Sequence, residues 1–380
     1  MAETKLPKIL VISDYRPTVG ARPEAEIFIG LAKRGFKIDI FTYPGADYTA
    51  RFRAAGIEVT EWHPDKKIDR AASNRIREKL VDGKHDILQM FNSHAYYNGI
   101  RAAKALPVKV VMYRGYQGNL EWYQPGLYLR YFHPRVNKIV CNSIGVEEEF
   151  RKNPFINWDK KLVTINKGHR LEWYADVQPA DLSTFGVKPG SVVFTCIANV
   201  RRMKGVKYLL QALKLLPPGL DITLLMVGNG LDNPEYRKLA NDSAYRDRII
   251  FAGFQSNPLE IDKASDVFVL ASIYGESITK AVIEAMAVGT APLITNIPGN
   301  KFLIENGISG MMIAPRNPQA LADGITSLYQ RRCELKALGA AAQARIGDDL
   351  NSEKTIKEYG DFYIDLASGK DNYRTKPGVM

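Results

Sequence analysis

"DVFVLASIYGESITKAVIEAMAVGTAPLIT", residues 266 to 295, reads as strand, helix, strand. "DVFVLA" and "APLIT" are too apolar to alternate, so both faces of each strand are covered, as in a parallel sheet. Between them the pattern predicts a helix over 277–288. On a 100° wheel Ile278, Ala281, Val282, Ala285 and Met286 share one broad arc, the stripe that packs inward. Glu276, Lys280 and Glu284 fall together within about 80° on the opposite side. A helix continuous through Glu276 puts the two carboxylates about 12 Å apart. The plain reading is a solvated Glu-Lys-Glu ladder. The spacing also suits two ends of one elongated polar ligand, and is too long for an acid and base acting on a single bond. Glu276 follows the carboxyl end of a strand, where a doubly wound sheet presents its ligand.

The same habit extends over the chain. In the first half "KILVIS", "KIDIFT", "HDILQMF", "VKVVMY", "NKIVCN" and "KLVTIN" read as strands, with helical patterns in "RPEAEIFIGLAKRG", "DRAASNRIREKLVDG" and "SHAYYNGIRAAKAL". In the second, "SVVFTCIA", "DITLLMVG", "RIIFAG", "DVFVLA", "APLIT" and "MMIA" alternate with helices near 205–216, 234–243, 277–288 and 317–330. Strands each followed by a helix make an α/β protein of two doubly wound, Rossmann-like domains facing a cleft. Pro179, Gly186, Pro189 and Gly190 interrupt the periodicity between residues 173 and 191. The expected domains are 1–175 and 176–350, then a final helix at 351–367 packing back on the first domain and a disordered tail at 368–380.

At 380 residues the chain can bury two cores, and its 46% hydrophobic and 24% charged residues place it among globular proteins. Of the formal net charge of +11, residues 1–180 carry +9, with 29 Lys and Arg against 20 Asp and Glu. An anionic partner or an anionic membrane surface is therefore expected on the first half, although a basic enzyme of small phosphorylated metabolites has the same balance. Cys141, Cys196 and Cys333 are odd in number and widely spaced, which fits core thiols of a reducing compartment. No apolar run has the length of a signal peptide or a membrane span, so a cytoplasmic protein is expected, with peripheral contact at the inner membrane face left open.

After the strand "VVFTCIA" comes a basic loop with Arg201, Arg202 and Lys204, then a helix from near Gly205. Cations beside free helix N–H groups at a strand's carboxyl end make a diphosphate site. Together "IANVRRMKG", "LLMVGNG", "RIIFAGF", the Glu-x7-Glu stretch of residues 266–299 and "IENGISGMMIAPRNPQALADGI" resemble, in order and spacing, the retaining nucleotide-sugar glycosyltransferases of the GT-B fold, family 4-like. The resemblance covers residues 190–330 through its motifs and the first half through architecture.

It implies that Glu276 meets hydroxyls of the donor sugar, Glu284 the ribose, and Arg201 and Lys204 the diphosphate, with Arg202 as the alternative to Arg201. Gly228, Ser277, Ile278 and Gly20 join the donor site on the same ground. The co-substrate is then a UDP- or GDP-sugar, with no cofactor; no Asp-x-Asp occurs, so no metal is expected. The first half departs from the pattern in offering only Gly20 in its first turn and Arg114-Gly115 where a His-Gly is common; His94 fits another histidine position. Arg114 cannot serve as a base. It is read as binding an anionic group of donor or acceptor or, equally, as one side of a structural ion pair. The aromatic stretch 113–135 lines an acceptor pocket, rests on a membrane or packs inward.

The expected activity is transfer of a hexose to a hydroxyl acceptor, sugar or lipid-linked, with retention, in polysaccharide, lipopolysaccharide or glycolipid synthesis; nucleic acid is not an expected partner. The alternative is a noncatalytic sugar- or polyanion-binding protein on the same fold. A nicotinamide-dependent oxidoreductase shares the sheet but needs a Gly-x-Gly-x-x-Gly after its first strand, which is missing.

Overall fold

The computed structural model describes residues 5–16, 21–121, 123–370 and 373. The described residues form two units, one within 1–168 and 350–380, the other within 169–349.

The first unit has seven parallel strands: β1 Ile9–Ile12, β2 Ile38–Thr42, β3 Glu58–Glu61, β4 Ile87–Met90, β5 Lys109–Arg114, β6 Lys138–Cys141 and β7 Leu162–Thr164. Their order is β3-β2-β1-β4-β5-β6-β7, with Ile9 of β1 opposite Ile38 on one side and Ile87 on the other. Both faces of β1 are apolar because each meets its own helix layer. Ile9 and Val11 pack toward the helices Arg22–Lys33 and Ser352–Ser368. Leu10 and Ile12 pack toward Arg70–Asp82 and Ser93–Ala102. Strand β3 escapes a search for apolar runs. It is an edge strand, "EVTE", with no buried residue.

The helix Ser352–Ser368 buries Ile356, Tyr359, Phe362 and Tyr363 completely in the first core. Ile356 and Phe362 each contribute about 1.5–3 kcal/mol relative to exposure. Ile356 sits so close that a Cβ on Gly30 would lie 2.4 Å from its Cδ1. The tail expected to be disordered lies largely outside the described residues. Tyr373, which is described, bonds through its backbone N–H to Asp365 at 2.7 Å.

In the second unit the strands are β8 Val192–Ile197, β9 Ile222–Val227, β10 Ile249–Gly253, β11 Val267–Leu270, β12 Ala291–Thr295 and β13 Met311–Ile313, ordered β10-β9-β8-β11-β12-β13. All pairs are parallel. The chain leaves β8 toward one edge and β11 toward the other, so their carboxyl ends flank a crevice. In the first unit the same reversal falls between β1 and β4.

Candidate active site

The two loops at the β8/β11 crevice are held together by their backbones. After β8 the chain makes a short turn at Arg202–Lys204 and then Gly205 at φ 64°. A Cβ there would stand 1.9 Å from the Ala271 carbonyl oxygen, so only glycine lets the basic loop rest on the end of β11. The Ile273 N–H donates to the Met203 carbonyl at 2.8 Å. Lys204 Nζ thereby reaches Glu276 Oε1 at 2.6 Å, with the two side chains only 16% and 10% exposed. Ser272 Oγ donates to the same oxygen at 2.8 Å. Arg201 and Arg202 are exposed, and neither side chain bonds to another described residue, so their donors face solvent.

Glu276 is not on the helix. The helix runs Lys280–Ala287, and Gly275 at φ 80° and Thr279 in extended conformation divide it from the strand end. The expected start at 277 is corrected for that reason, and the 12 Å estimate, which required continuity, does not apply. Ser277 is buried and Ile278 half-buried in the loop instead. Glu284 stays on the helix, paired with Lys280 one turn earlier. Val282, Ala285 and Met286 form the inward stripe with Ile283. Gly228 has φ 148°, and a Cβ on it would meet the Ala198 carbonyl oxygen at 1.8 Å. Its role visible here is to let the end of β9 close on that of β8. Gly20 lies outside the described residues.

Sequence reading missed Asp262, which is 1% exposed on the helix Pro258–Ala264 with its Oδ1 bonded to nothing in the described residues. Burial, and secondarily the charge of Glu284, pushes its carboxyl well above the usual carboxylate range. Burial likewise raises the Cys196 thiol to about 12, making it a core group. Among the described residues no group of three or more His, Cys, Asp or Glu could hold a metal ion.

In the first unit His94 opens the helix Ser93–Ala102, its Nδ1 3.5 Å from the Tyr43 hydroxyl. Beside it is His63, also missed from sequence because nothing in "EWHPD" marks it. It is 3% exposed, stacked on Tyr43 at 4.2 Å, and its centroid is 6.5 Å from that of His94. Its Nδ1 donates to the Pro64 carbonyl at 2.9 Å and its Nε2 accepts from Asn92 at 2.9 Å. Burial holds this imidazole below the usual histidine value.

Arg114 is 1% exposed. Its Nε donates to the Tyr116 carbonyl at 2.9 Å, Nη1 to the Tyr131 hydroxyl at 3.3 Å, and Nη2 to the Gly118 carbonyl; the guanidinium lies 3.4 Å over the Tyr116 ring. Among the described residues its side-chain partners are two carbonyls, the Tyr131 hydroxyl and two rings, so the expected ion pair finds no carboxylate there, and donors expected to meet an anion are engaged within the fold. Gly115 is accounted for by packing, since a Cβ there would meet the Tyr113 ring at 2.8 Å. In the aromatic stretch Tyr131 and Phe132 pack inward, while Tyr123 and Leu129 are 66% and 55% exposed.

Two parallel doubly wound α/β units are the architecture of the GT-B glycosyltransferases. Residues 179–345 match the model of the glycosyl transferases group 1, and residues 25–173 that of Glycosyltransferase Family 4. The chain belongs to these glycosyltransferases. It is 27% identical over 188 residues to N-acetyl-alpha-D-glucosaminyl L-malate synthase of Bacillus anthracis, covering 50% of this chain and 49% of that protein. It is 28% identical over 220 residues to the UDP-Gal:alpha-D-GlcNAc-diphosphoundecaprenol alpha-1,3-galactosyltransferase of Escherichia coli, covering 55% and 56%. The aligned part thus spans about half the length of these curated relatives. Among solved structures, Anabaena Alr3699/HepE in complex with UDP matches with a TM-score of 0.75 at 17% identity, over 95% of this chain and 100% of that one. At that identity the likeness shows the fold.

Proposed function

We propose that the protein transfers a hexose from a nucleotide sugar to a hydroxyl acceptor with retention at the anomeric carbon and without a metal, in the synthesis of a polysaccharide, lipopolysaccharide or glycolipid. The observation that carries this is the Lys204–Glu276 contact of 2.6 Å at the β8/β11 switch point, with Arg201 and Arg202 exposed beside it. An ammonium has three N–H donors and a carboxylate two oxygens. Lys204 can therefore keep Glu276 Oε1 while donating to a diphosphate, and Glu276 Oε2 can accept from a sugar hydroxyl. Fixed cations at the leaving diphosphate stabilise the charge that develops there, by about 2–4 kcal/mol for one preorganised partner. A donor phosphate oxygen would take the acceptor's proton, and orientation would supply much of the remaining rate. Glu284 on its helix would meet the ribose.

The name of the Escherichia coli relative includes a UDP-sugar and a diphosphoundecaprenol, and the Anabaena structure contains UDP. Both favour a UDP-sugar over a GDP-sugar as donor, and the name of the Escherichia coli relative alone favours a lipid-linked acceptor. Among the described residues no helix is long and apolar enough to cross a membrane. We place the protein in the cytoplasm, meeting a lipid-linked acceptor at the anionic membrane surface through its basic first half. The test is release of nucleoside diphosphate from a panel of UDP- and GDP-sugars with and without EDTA, followed by NMR of the product. No release from any donor rejects the proposal; inversion or a metal-reversible loss in EDTA rejects those parts of it.

A further inference from the structure

The segment from Ser272 to Thr279 lies outside any helix or strand, yet Ser272, Glu276, Ser277 and Thr279 are all buried. Buried polar groups need partners from within the fold. Here a chain of side chains supplies them. Thr295, the last residue of β12, donates its hydroxyl to the Ser272 carbonyl, and Ser272 Oγ donates to Glu276 Oε1 at 2.8 Å. Asn300 Nδ2 donates to the Thr295 carbonyl at 3.1 Å, and Asn300 Oδ1 accepts from the Thr279 hydroxyl at 2.9 Å. Ser272, Thr295 and Asn300 are 0% exposed and Thr279 3%. Thr279 is the N-cap of the helix Lys280–Ala287, but its hydroxyl does not cap it; it is taken by Asn300 instead. The turn that carries Asn300 lies directly on the segment, since a Cβ on Gly299 would stand 2.0 Å from the Glu276 carbonyl oxygen.

We infer that Asn300 is a positioning residue for Glu276. One carboxamide, with a donor and an acceptor in a fixed plane, ties the end of β12 to Thr279 at the far end of the segment. Through Thr295 it also meets the bond that pins the near end at Ser272. The Glu276 carboxylate is thereby held against Lys204 although no helix carries it. That this serves sugar transfer rests on the function proposed above; the holding of the segment does not.

The test uses the full chain with Asn300→Leu, Thr279→Val and Thr279→Ser. Amide hydrogen exchange over 272–279 is followed without ligand, then initial rates with the nucleotide sugar the wild type turns over fastest, and UDP affinity by calorimetry. In Thr279→Val, exchange over the segment rises about tenfold, as loss of one buried hydrogen bond implies, while peptides from β11 and β12 stay protected. Thr279→Ser keeps the hydroxyl and restores wild-type exchange. The Thr279→Val/Asn300→Leu double variant is no worse than Asn300→Leu, because both remove the same bond. kcat falls about tenfold with KM and UDP affinity within about twofold, the split of an interaction that matters in the transition state. Unchanged exchange over 272–279 in both Thr279→Val and Asn300→Leu overturns the inference, and so does loss of protection throughout the second unit in both. A raised exchange with unchanged kcat overturns the role in transfer. If the wild type turns over no nucleotide sugar, the proposed function fails and exchange alone decides the positioning.

Discussion

Removing one partner of the Lys204–Glu276 pair leaves the other charge in a largely buried site. The contact is 2.6 Å, and the side chains are 16% and 10% exposed, so solvent replaces the lost partner only in part. Breaking a buried pair from one side costs about 3–5 kcal/mol, whereas removing both charges leaves no uncompensated ion. Lys204→Ala and Glu276→Ala should therefore each destabilise the second unit strongly, and the double variant by clearly less than their sum. A coupling of about 2 kcal/mol or more is expected for two groups in direct contact. For a unit of this size each single loss corresponds to roughly 6–20 °C in melting temperature. The assay is differential scanning calorimetry of the four proteins without ligand, reading the transition of the second unit. Strict additivity, with coupling below about 0.5 kcal/mol, would refute a pair preformed in the free protein and with it the donor site built on it.

Arg114→Lys should lower the melting temperature while leaving KM for every substrate unchanged, because a lysine cannot reproduce three forked donations to Tyr116, Tyr131 and Gly118; the loss should be about 3 kcal/mol, and a raised KM with normal melting would restore anion binding. For Asp262 the sign follows from its raised folded-state pKa: stability is intact below the unfolded value of about 3.9 and is lost as pH rises toward the folded value. Asp262→Asn, which cannot ionise, should thus gain on the wild type between pH 4 and 7 in urea titrations; a constant difference across that range counts against the buried neutral acid. Glu284→Ala should weaken calorimetric affinity for UDP by about tenfold if a charged hydrogen bond to the ribose is lost. Glu276→Ala should leave UDP affinity nearly intact and abolish transfer; equal losses of UDP affinity would dissolve the division of labour between the two glutamates.

The parallel sheets were legible because the sequence states them redundantly. Strands β8, β9, β11 and β12 are apolar on both faces, and only a sheet covered on both sides accepts such runs. The edge strand β3, with charged ends and no buried residue, carries no such signal, and its pairing with β2 makes it a strand. The local structure of "NVRRMKG" was equally readable, since a strand end, three cations and a glycine before a helix are contiguous.

Contacts between distant residues were not legible. Periodicity extended the helix back through Ile278 because an apolar residue there fits the stripe, whereas Gly275 and the bond from Thr279 to Asn300, 21 positions on, end it at Lys280. His63 stands out only when Tyr43 and Asn92 are brought around it. Arg114 showed its charge in the sequence, but not that carbonyls two and four residues on would consume it. Apolar period and turn chemistry are properties of neighbours along the chain, so the sequence by itself determined the two α/β units and the residue types at the strand ends. Which donor meets which acceptor is a property of neighbours in space, and burial makes each such pairing obligatory. The tertiary structure alone therefore decided that Lys204 meets Glu276, that Asn300 bonds both Thr279 and Thr295, and that the Arg114 donors are engaged within the fold.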